Sequence, residues 1–251
     1  MLNTPLEQFQ VISFFPIQFF CLDFSLNNLL LINLLILLFC SLSIYLITSE
    51  DKTLYFLPSS WQNIIENIYE IGYTLLFDNL NAKGEKYLPF ISILFIYILL
   101  ANLIGLVPYS FTITSHLIVT FILSFSIFIG LNIICINIYK AEMLSLFIPS
   151  NTSFGLALLL VPIEFVSYIF KPISLGVRLF ANLMAGHTLL KVIVGFSWSI
   201  LLLESFLSIL HVVPLLILVI LMGLELGVAI IQAYVFTILT CIYLNDSINL
   251  H

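Results

Sequence analysis

Apolar residues in this chain fall into long unbroken runs separated by short polar stretches, and that spacing sets the fold class. Residues 24–49 contain no Asp, Glu, Lys or Arg, and the same holds for residues 87–139. Three further uncharged runs cover 143–163, 205–224 and 226–245. A helix rises about 1.5 Å per residue, so about 20 residues cross the hydrocarbon of a bilayer. The pattern predicts an all-α, polytopic membrane protein with about five membrane helices. A transmembrane β-barrel would show alternating segments of about 10 residues, and none occurs.

The chain reads as a single domain. An N-terminal segment, 1–25, leads into a first membrane helix over 26–47. The polar region 48–86 contains an amphipathic helix at 61–80. Trp61, Ile64, Ile65, Ile68, Ile71, Leu75 and Leu76 recur at helical spacing, with Gln62, Asn63, Glu66, Asn67 and Glu70 opposite. That helix is expected to lie at the membrane surface, where its acidic face suits a protein neighbour better than anionic lipid. Pro108 and the polar cluster Ser110–His116 divide the next run into a membrane helix hairpin within 88–139, crossing at 88–107 and 116–139. A loop with Lys140, Glu142, Pro149, Ser150 and Asn151 follows. Residues 152–244 then hold two segments, 152–196 and 199–244, each longer than one perpendicular crossing. They are expected to form a long, strongly tilted hairpin, with bends at Pro162, Pro172 and Pro214. Lys52, Lys83 and Lys86 follow the first crossing and Lys140 the third, so these loops belong on the inner side. The N-terminus is then outside and the C-terminus inside.

Composition narrows the function. Hydrophobic residues make up 62% of the chain and charged ones 8%, against about a quarter charged in a soluble domain, which excludes a water-soluble monomer. Lys and Arg number 7 against 13 Asp and Glu, with no basic stripe, so no nucleic acid is bound. Cys21, Cys40, Cys135 and Cys241 lie far apart and read as small buried hydrophobes. The four His show no metal-ligand spacing, so neither a metal nor a cofactor is expected. The start, MLNTPLEQFQ, lacks the basic residues of a signal peptide. No GxxxxGK[ST] loop occurs, which places nucleotide chemistry elsewhere and makes the chain no enzyme on its own.

One residue dominates the chemistry. Arg178 is the only arginine and sits within the apolar stretch SLGVRLFANLMAG. A cation embedded in a membrane costs several kcal/mol or more, and a guanidinium stays charged at any working pH, so it attracts or blocks but relays no proton. Its helical neighbours Lys171, Ser174, Leu175, Ala181, Asn182 and Ala185 include no acid, so its carboxylate belongs to the other long segment or to another subunit. On an ideal helix, Glu164 and Asn182 each fall about 40° from Arg178, and His187 falls on the opposite face. Glu225, Gln232 and Asp246 share a stripe on the last segment, with Glu225 and Asp246 about 31 Å apart. The topology then puts Glu164 and Asp246 towards the inside, and His187 and Glu225 towards the outside, with a fixed cation between. Two offset half-channels have this layout; a through-pore does not. Bland readings stay open: Glu164 as a capping charge, Asp246 as a solvated helix end, His187 as a core histidine, Asn182 and Gln232 as interhelical hydrogen-bonding pairs. Glu204 and His211 read as loop residues and His116 as a turn residue. Gly223 and Gly227, Ala181 and Ala185, Asn182 and Gly186, and Ala229 and Ala233 repeat a four-residue spacing that allows close helix approach.

These residues resemble the subunit a family of F-type ATP synthases. KPISLGVRLFANLMAGH (171–187) looks like the family's arginine-bearing helix and ELGVAIIQAYVFTILTCIYLND (225–246) like its C-terminal helix. IGLVPYSFTITSHL (104–117) matches its middle turn, and PLEQF near the start also fits. The resemblance implies that Arg178 faces a rotating c-ring whose subunits each carry one carboxylate. It implies an outer relay at His187 and Glu225, an inner relay at Glu164 and Asp246, and polar neighbours of the arginine at Asn182 and Gln232. Expected partners are the c-ring, the peripheral stalk, other membrane-sector subunits, lipid and protons. The bacterial and chloroplast pattern usually places Glu at the His187 position and His at the Glu225 position. The exchange seen here looks mitochondrial, as does the skewed composition, and implies a multi-pass protein of the mitochondrial inner membrane. A secondary transporter would show paired repeats with broken helices, and a respiratory proton pump would string lysines along several segments; neither feature is present.

Overall fold

The computed structural model describes residues 9–19, 22–23, 25–49, 60–107, 110–140, 154–202 and 211–249. Helices dominate because a chain without water around it must satisfy its own N–H and C=O groups. Among the described residues these are α1 (Asn28–Ser49), α2 (Ser60–Leu80), a 3-10 turn (Asn81–Tyr87), α3 (Leu88–Leu106), α4 (Leu117–Tyr139), α5 (Phe154–Leu201) and α6 (Val212–Ile248). The last four are long and apolar enough to cross a membrane, and α1 adds a shorter apolar stretch, Asn28–Leu42. The fold is thus all-α and polytopic.

Ahead of α1, four very short strands pair as two small antiparallel ladders: β1 (Ser13–Phe15) with β4 (Leu26–Asn27), and β2 (Gln18–Phe19) with β3 (Leu22–Asp23). Asn28 fastens this strap to the start of α1. Its Oδ1 accepts from the Ile12 and Leu29 N–H groups at 3.2 and 2.9 Å, and its Nδ2 donates to the Gln10 carbonyl at 3.1 Å.

α6 is the hub, packing on α2, α3, α4 and α5. The reason lies in its small residues: Ala229 and Ala233, 2% and 0% exposed, let α3 approach closely enough for Asn102 Nδ2 to donate to the Ala229 carbonyl at 3.2 Å. Leu94, Phe95 and Ile98 of α3, Leu175 and Leu179 of α5, and Ala233 and Phe236 of α6 form the central core. A second cluster joins Leu76 and Leu80 of α2 to Ile91, Leu131, Cys241 and Leu244. A third joins Ile36 and Cys40 of α1 to Ala101 and Ile113. Cys40, Cys135 and Cys241 are buried, Cys40 and Cys241 within these clusters, while Cys21 lies outside the described residues.

Polar side chains tie neighbouring helices together: Tyr97 donates to Asn33 Oδ1 at 2.9 Å, Tyr168 to Asn132 Oδ1, and Tyr139 to the Ile248 carbonyl. The contacts sort into two ends. The strap, the α3–α4 turn and the stretch 187–191 gather at one end. Tyr139, Tyr168, Lys171, Asp246 and Ile248 gather at the other.

Several expectations need correcting. α5 continues to Leu201 and runs unbroken through Pro162 and Pro172. Its 48 residues rise about 72 Å, more than twice the hydrocarbon thickness, so it crosses obliquely. The last helix begins at Val212 rather than 199 and ends at Ile248. Pro214 therefore lies in its first turn, where a missing N–H costs no intrahelical bond, and starts the helix instead of bending it. Pro108 and the loop residues Glu142, Pro149, Ser150 and Asn151 lie outside the described residues. On α2, Gly72, Leu75, Leu76 and Leu80 are buried against the bundle, whereas Ile64 and Ile71 are 50% and 38% exposed, so part of the apolar stripe is left to the surroundings, as a helix at the membrane surface requires. Its inward side is set by the neighbouring helices α3 and α6.

Overpacking the hub tests this arrangement. Ala233→Leu is expected to destabilise the fold by about 1–3 kcal/mol, seen as a lower thermal midpoint of the detergent-purified chain. Ala233→Ser, which adds little volume, is expected to leave the midpoint nearly unchanged.

Candidate functional site

The site is built on α5 and α6, whose packing brings together residues far apart in sequence. Its centre is a polar pair: Asn182 Nδ2 donates to Gln232 Oε1 at 2.8 Å, with Gln232 6% exposed. An amide pair between two apolar helices satisfies groups that lipid cannot. Beside it, Gly186 faces Glu225. A Cβ at residue 186 would stand 2.7 Å from Glu225 Oε1 and 3.0 Å from its Cδ, so glycine gives the carboxylate its room. The close approach of α5 and α6 therefore lies at Gly186, not at Gly223 and Gly227, which meet nothing within 4 Å.

A cavity of about 20 Å³ sits between Asn182, Gly186, His187, Glu225 and Gln232, room for about one water. It adjoins a vestibule of about 800 Å³, since His187, Glu225 and Leu106 line both. The vestibule is walled by Phe9, Gln10, Ile12 and Asn28 of the strap, by the turn residues Ser110–Thr112, and by Lys191. Phe9 packs edge-on against the His187 ring at 6.5 Å. His187 Nε2 and Glu225 Oε2 are buried without a hydrogen-bond partner among the described residues. His187 and Glu225 thus line the same two cavities.

Arg178 stands on a different face. It is exposed, with Ser174, Ala181 and Ala185 exposed around it, and no carboxylate pairs with it among the described residues. Val177, Leu189, Leu224, Ile231 and Tyr234 of α5 and α6 are exposed as well. A guanidinium on a spanning helix is costly without a counter-charge.

At the far end, Glu164 is exposed. Asp246 meets Lys171 instead, Nζ to Oδ2 at 3.1 Å. The Lys171 ammonium also lies over the rings of Tyr243 and Tyr168, 4.9 and 5.5 Å from their centroids. Sequence spacing missed this pairing, although Lys171 sits seven residues before Arg178 and so on nearly the same face. His211 caps the start of α6, and Glu204 lies outside the described residues. His116 precedes α4 and stacks on Phe111 at 5.0 Å, where burial pushes its imidazole below the usual histidine range.

Comparison with known proteins adds the family context. The family described as ATP synthase A chain matches residues 29–245. Similar proteins named ATP synthase subunit a include one from Pylaiella littoralis, 50% identical with both chains fully covered. One from Chondrus crispus is 47% identical over all of this chain and 98% of its own. One from Marchantia polymorpha is 43% identical with both chains fully covered.

Single cysteines in a background lacking the native ones test the two faces. Cysteine at Met222 or at Glu225 is expected to react with a small water-soluble maleimide added from the strap side. Cysteine at Leu179, 0% exposed, is expected to stay unlabelled from either side.

Proposed function

The chain belongs to the ATP synthase A chain family, and from that premise we propose that it is the stator that passes protons through two offset half-channels to and from a rotating ring of carboxylate-bearing subunits. The observation that carries the reading is the separation of Arg178 from the polar route. The sole arginine stands bare on the apolar face of α5, while His187 and Glu225 line a vestibule on another face.

The chemistry follows from charge and dielectric. A proton enters from the vestibule, moves between His187 and Glu225, and reaches the cavity beside the Asn182–Gln232 pair. From there it is handed to a ring carboxylate. Once neutral, that acid leaves for lipid at little cost, whereas its ionised form would not. On returning, the acid must give up its proton to the inner route, which passes Glu164 and the wall formed by Asp246. The ionised carboxylate then pairs with Arg178, an attraction that is strong where water is scarce. The same guanidinium repels a proton trying to pass directly between the routes, and because it does not titrate, it cannot become a stepping stone. Asn182 binds Gln232 and leaves Arg178 free to act.

The chain is a multi-pass membrane protein, and we place it in the mitochondrial inner membrane. Support comes from the pairing of His at 187 with Glu at 225 and from a composition with 7 basic residues, only one of them arginine. Partners on this reading are the ring, the peripheral stalk and the other membrane-sector subunits.

Arg178→Ala in the assembled complex is expected to reduce ATP synthesis to background while passive proton flux persists; synthesis near the parental rate would overturn the stator reading. Glu225→Gln is expected to lower synthesis driven by outer-side acid at least about tenfold with assembly intact. Unchanged rates would remove Glu225 from the entry route.

A further inference from the structure

Lys171 raises a physical problem for the stator reading. It lies seven residues before Arg178 on the same helix, about 20° round and about 10 Å along the axis. A second bare cation at that place would compete for every ionised carboxylate that passes. Yet the structure leaves Lys171 far from bare. Asp246 Oδ2 stands 3.1 Å from its Nζ, and the faces of Tyr243 and Tyr168 cover it at 4.9 and 5.5 Å. Three groups from two helices thus converge on one ammonium: a full negative charge and two rings whose negative faces attract cations. Arg178 has no carboxylate partner among the described residues.

We propose that Asp246, with Tyr243 and Tyr168, masks the charge of Lys171 so that Arg178 is the one net cation the ring carboxylates meet on this face of α5. This rests on reading Arg178 as the residue that meets those carboxylates. It assigns Asp246 a task distinct from carrying protons. Masking requires a negative charge beside Lys171 but no proton exchange, and it becomes unnecessary once Lys171 is uncharged. A helix clamp makes the opposite demand, because removing either partner, or both, loosens α5 from α6 alike.

The experiment compares ATP synthesis by the assembled complex carrying Asp246→Asn, Lys171→Met, both together, and, as a separate arm, Arg178→Ala. Asp246→Asn exposes the ammonium and is expected to slow synthesis about tenfold. The double variant has lost the tether as well as the charge, and is expected to recover to within about threefold of the parent. Lys171→Met alone is expected to stay in that same range, because nothing is left to mask. A double variant as slow as Asp246→Asn, beside an active Lys171→Met, overturns the proposal and makes the carboxylate itself indispensable. Parental activity in Asp246→Asn overturns it too, since a bare Lys171 then does no harm. If Asp246→Asn does not assemble, Lys171→Met decides: a loss above about tenfold in an assembled complex overturns the mask. The Arg178→Ala arm keeps the two readings apart. Synthesis surviving there removes the stator reading, whereas synthesis lost there with no double-variant recovery removes only the mask.

Discussion

Hydrocarbon offers no hydrogen bonds, so a polar group on a spanning helix must find its partner within the chain or leave it to another molecule. Most of this structure follows from the first option. Asn102 reaches the Ala229 carbonyl, Tyr97 reaches Asn33, Asn182 reaches Gln232, and Lys171 reaches Asp246. Each bond joins two helices, so each also fixes how one helix is rotated against its neighbour. The polar residues, few as they are in this chain, do the orienting, while apolar packing alone would tolerate rotation. Arg178 takes the second option, whereas Lys171, seven residues before it on the same helix, is met by Asp246 and two aromatic rings.

Close approach is rationed in the same way. α6 carries small residues where α3 must come near, at Ala229 and Ala233, and α5 carries one where Glu225 must fit, at Gly186. The other small residues differ: Ser174, Ala181 and Ala185 beside Arg178 are exposed, and a Cβ at Gly223 of α6 would meet nothing within 4 Å among the described residues. One set of small residues therefore builds the subunit, and the other leaves the surroundings of Arg178 shallow. On the proposed reading, a guanidinium and a ring carboxylate need such a shallow face, because bulky side chains would hold them apart.

Much of this was legible in the sequence. Uncharged runs located the helices to within a few residues at Leu88–Leu106 and Leu117–Tyr139, because charge is excluded from hydrocarbon far more strictly than any propensity acts. Angular spacing along one helix separated Arg178 from His187 correctly, since 3.6 residues per turn is a property of the backbone alone. What spacing cannot supply is the rotation of one helix against the next. For that reason the spacing does not foresee the pairing of Lys171 with Asp246, and it cannot tell which of its small-residue pairs meets a neighbour: Gly186 does, whereas Gly223 and Gly227 do not. The strap over the vestibule was equally invisible, as strands this short carry no periodic signal.

The strap also bears on how the entry route works. Phe9, Gln10 and Ile12 wall a vestibule of about 800 Å³ that narrows to about 20 Å³ beside Gln232, so the water column thins from many molecules to about one. Where water is plentiful, protons exchange freely and no particular side chain is needed; where one water remains, fixed donors and acceptors must take over. His187 and Glu225 stand at that transition, lining both spaces, with Nε2 and Oε2 unclaimed by the protein. On the proposed reading, that place at the neck is why two titratable groups suffice for the entry route. Arg178, on the other face, then acts in that reading as an electrostatic partner with no duty in proton delivery.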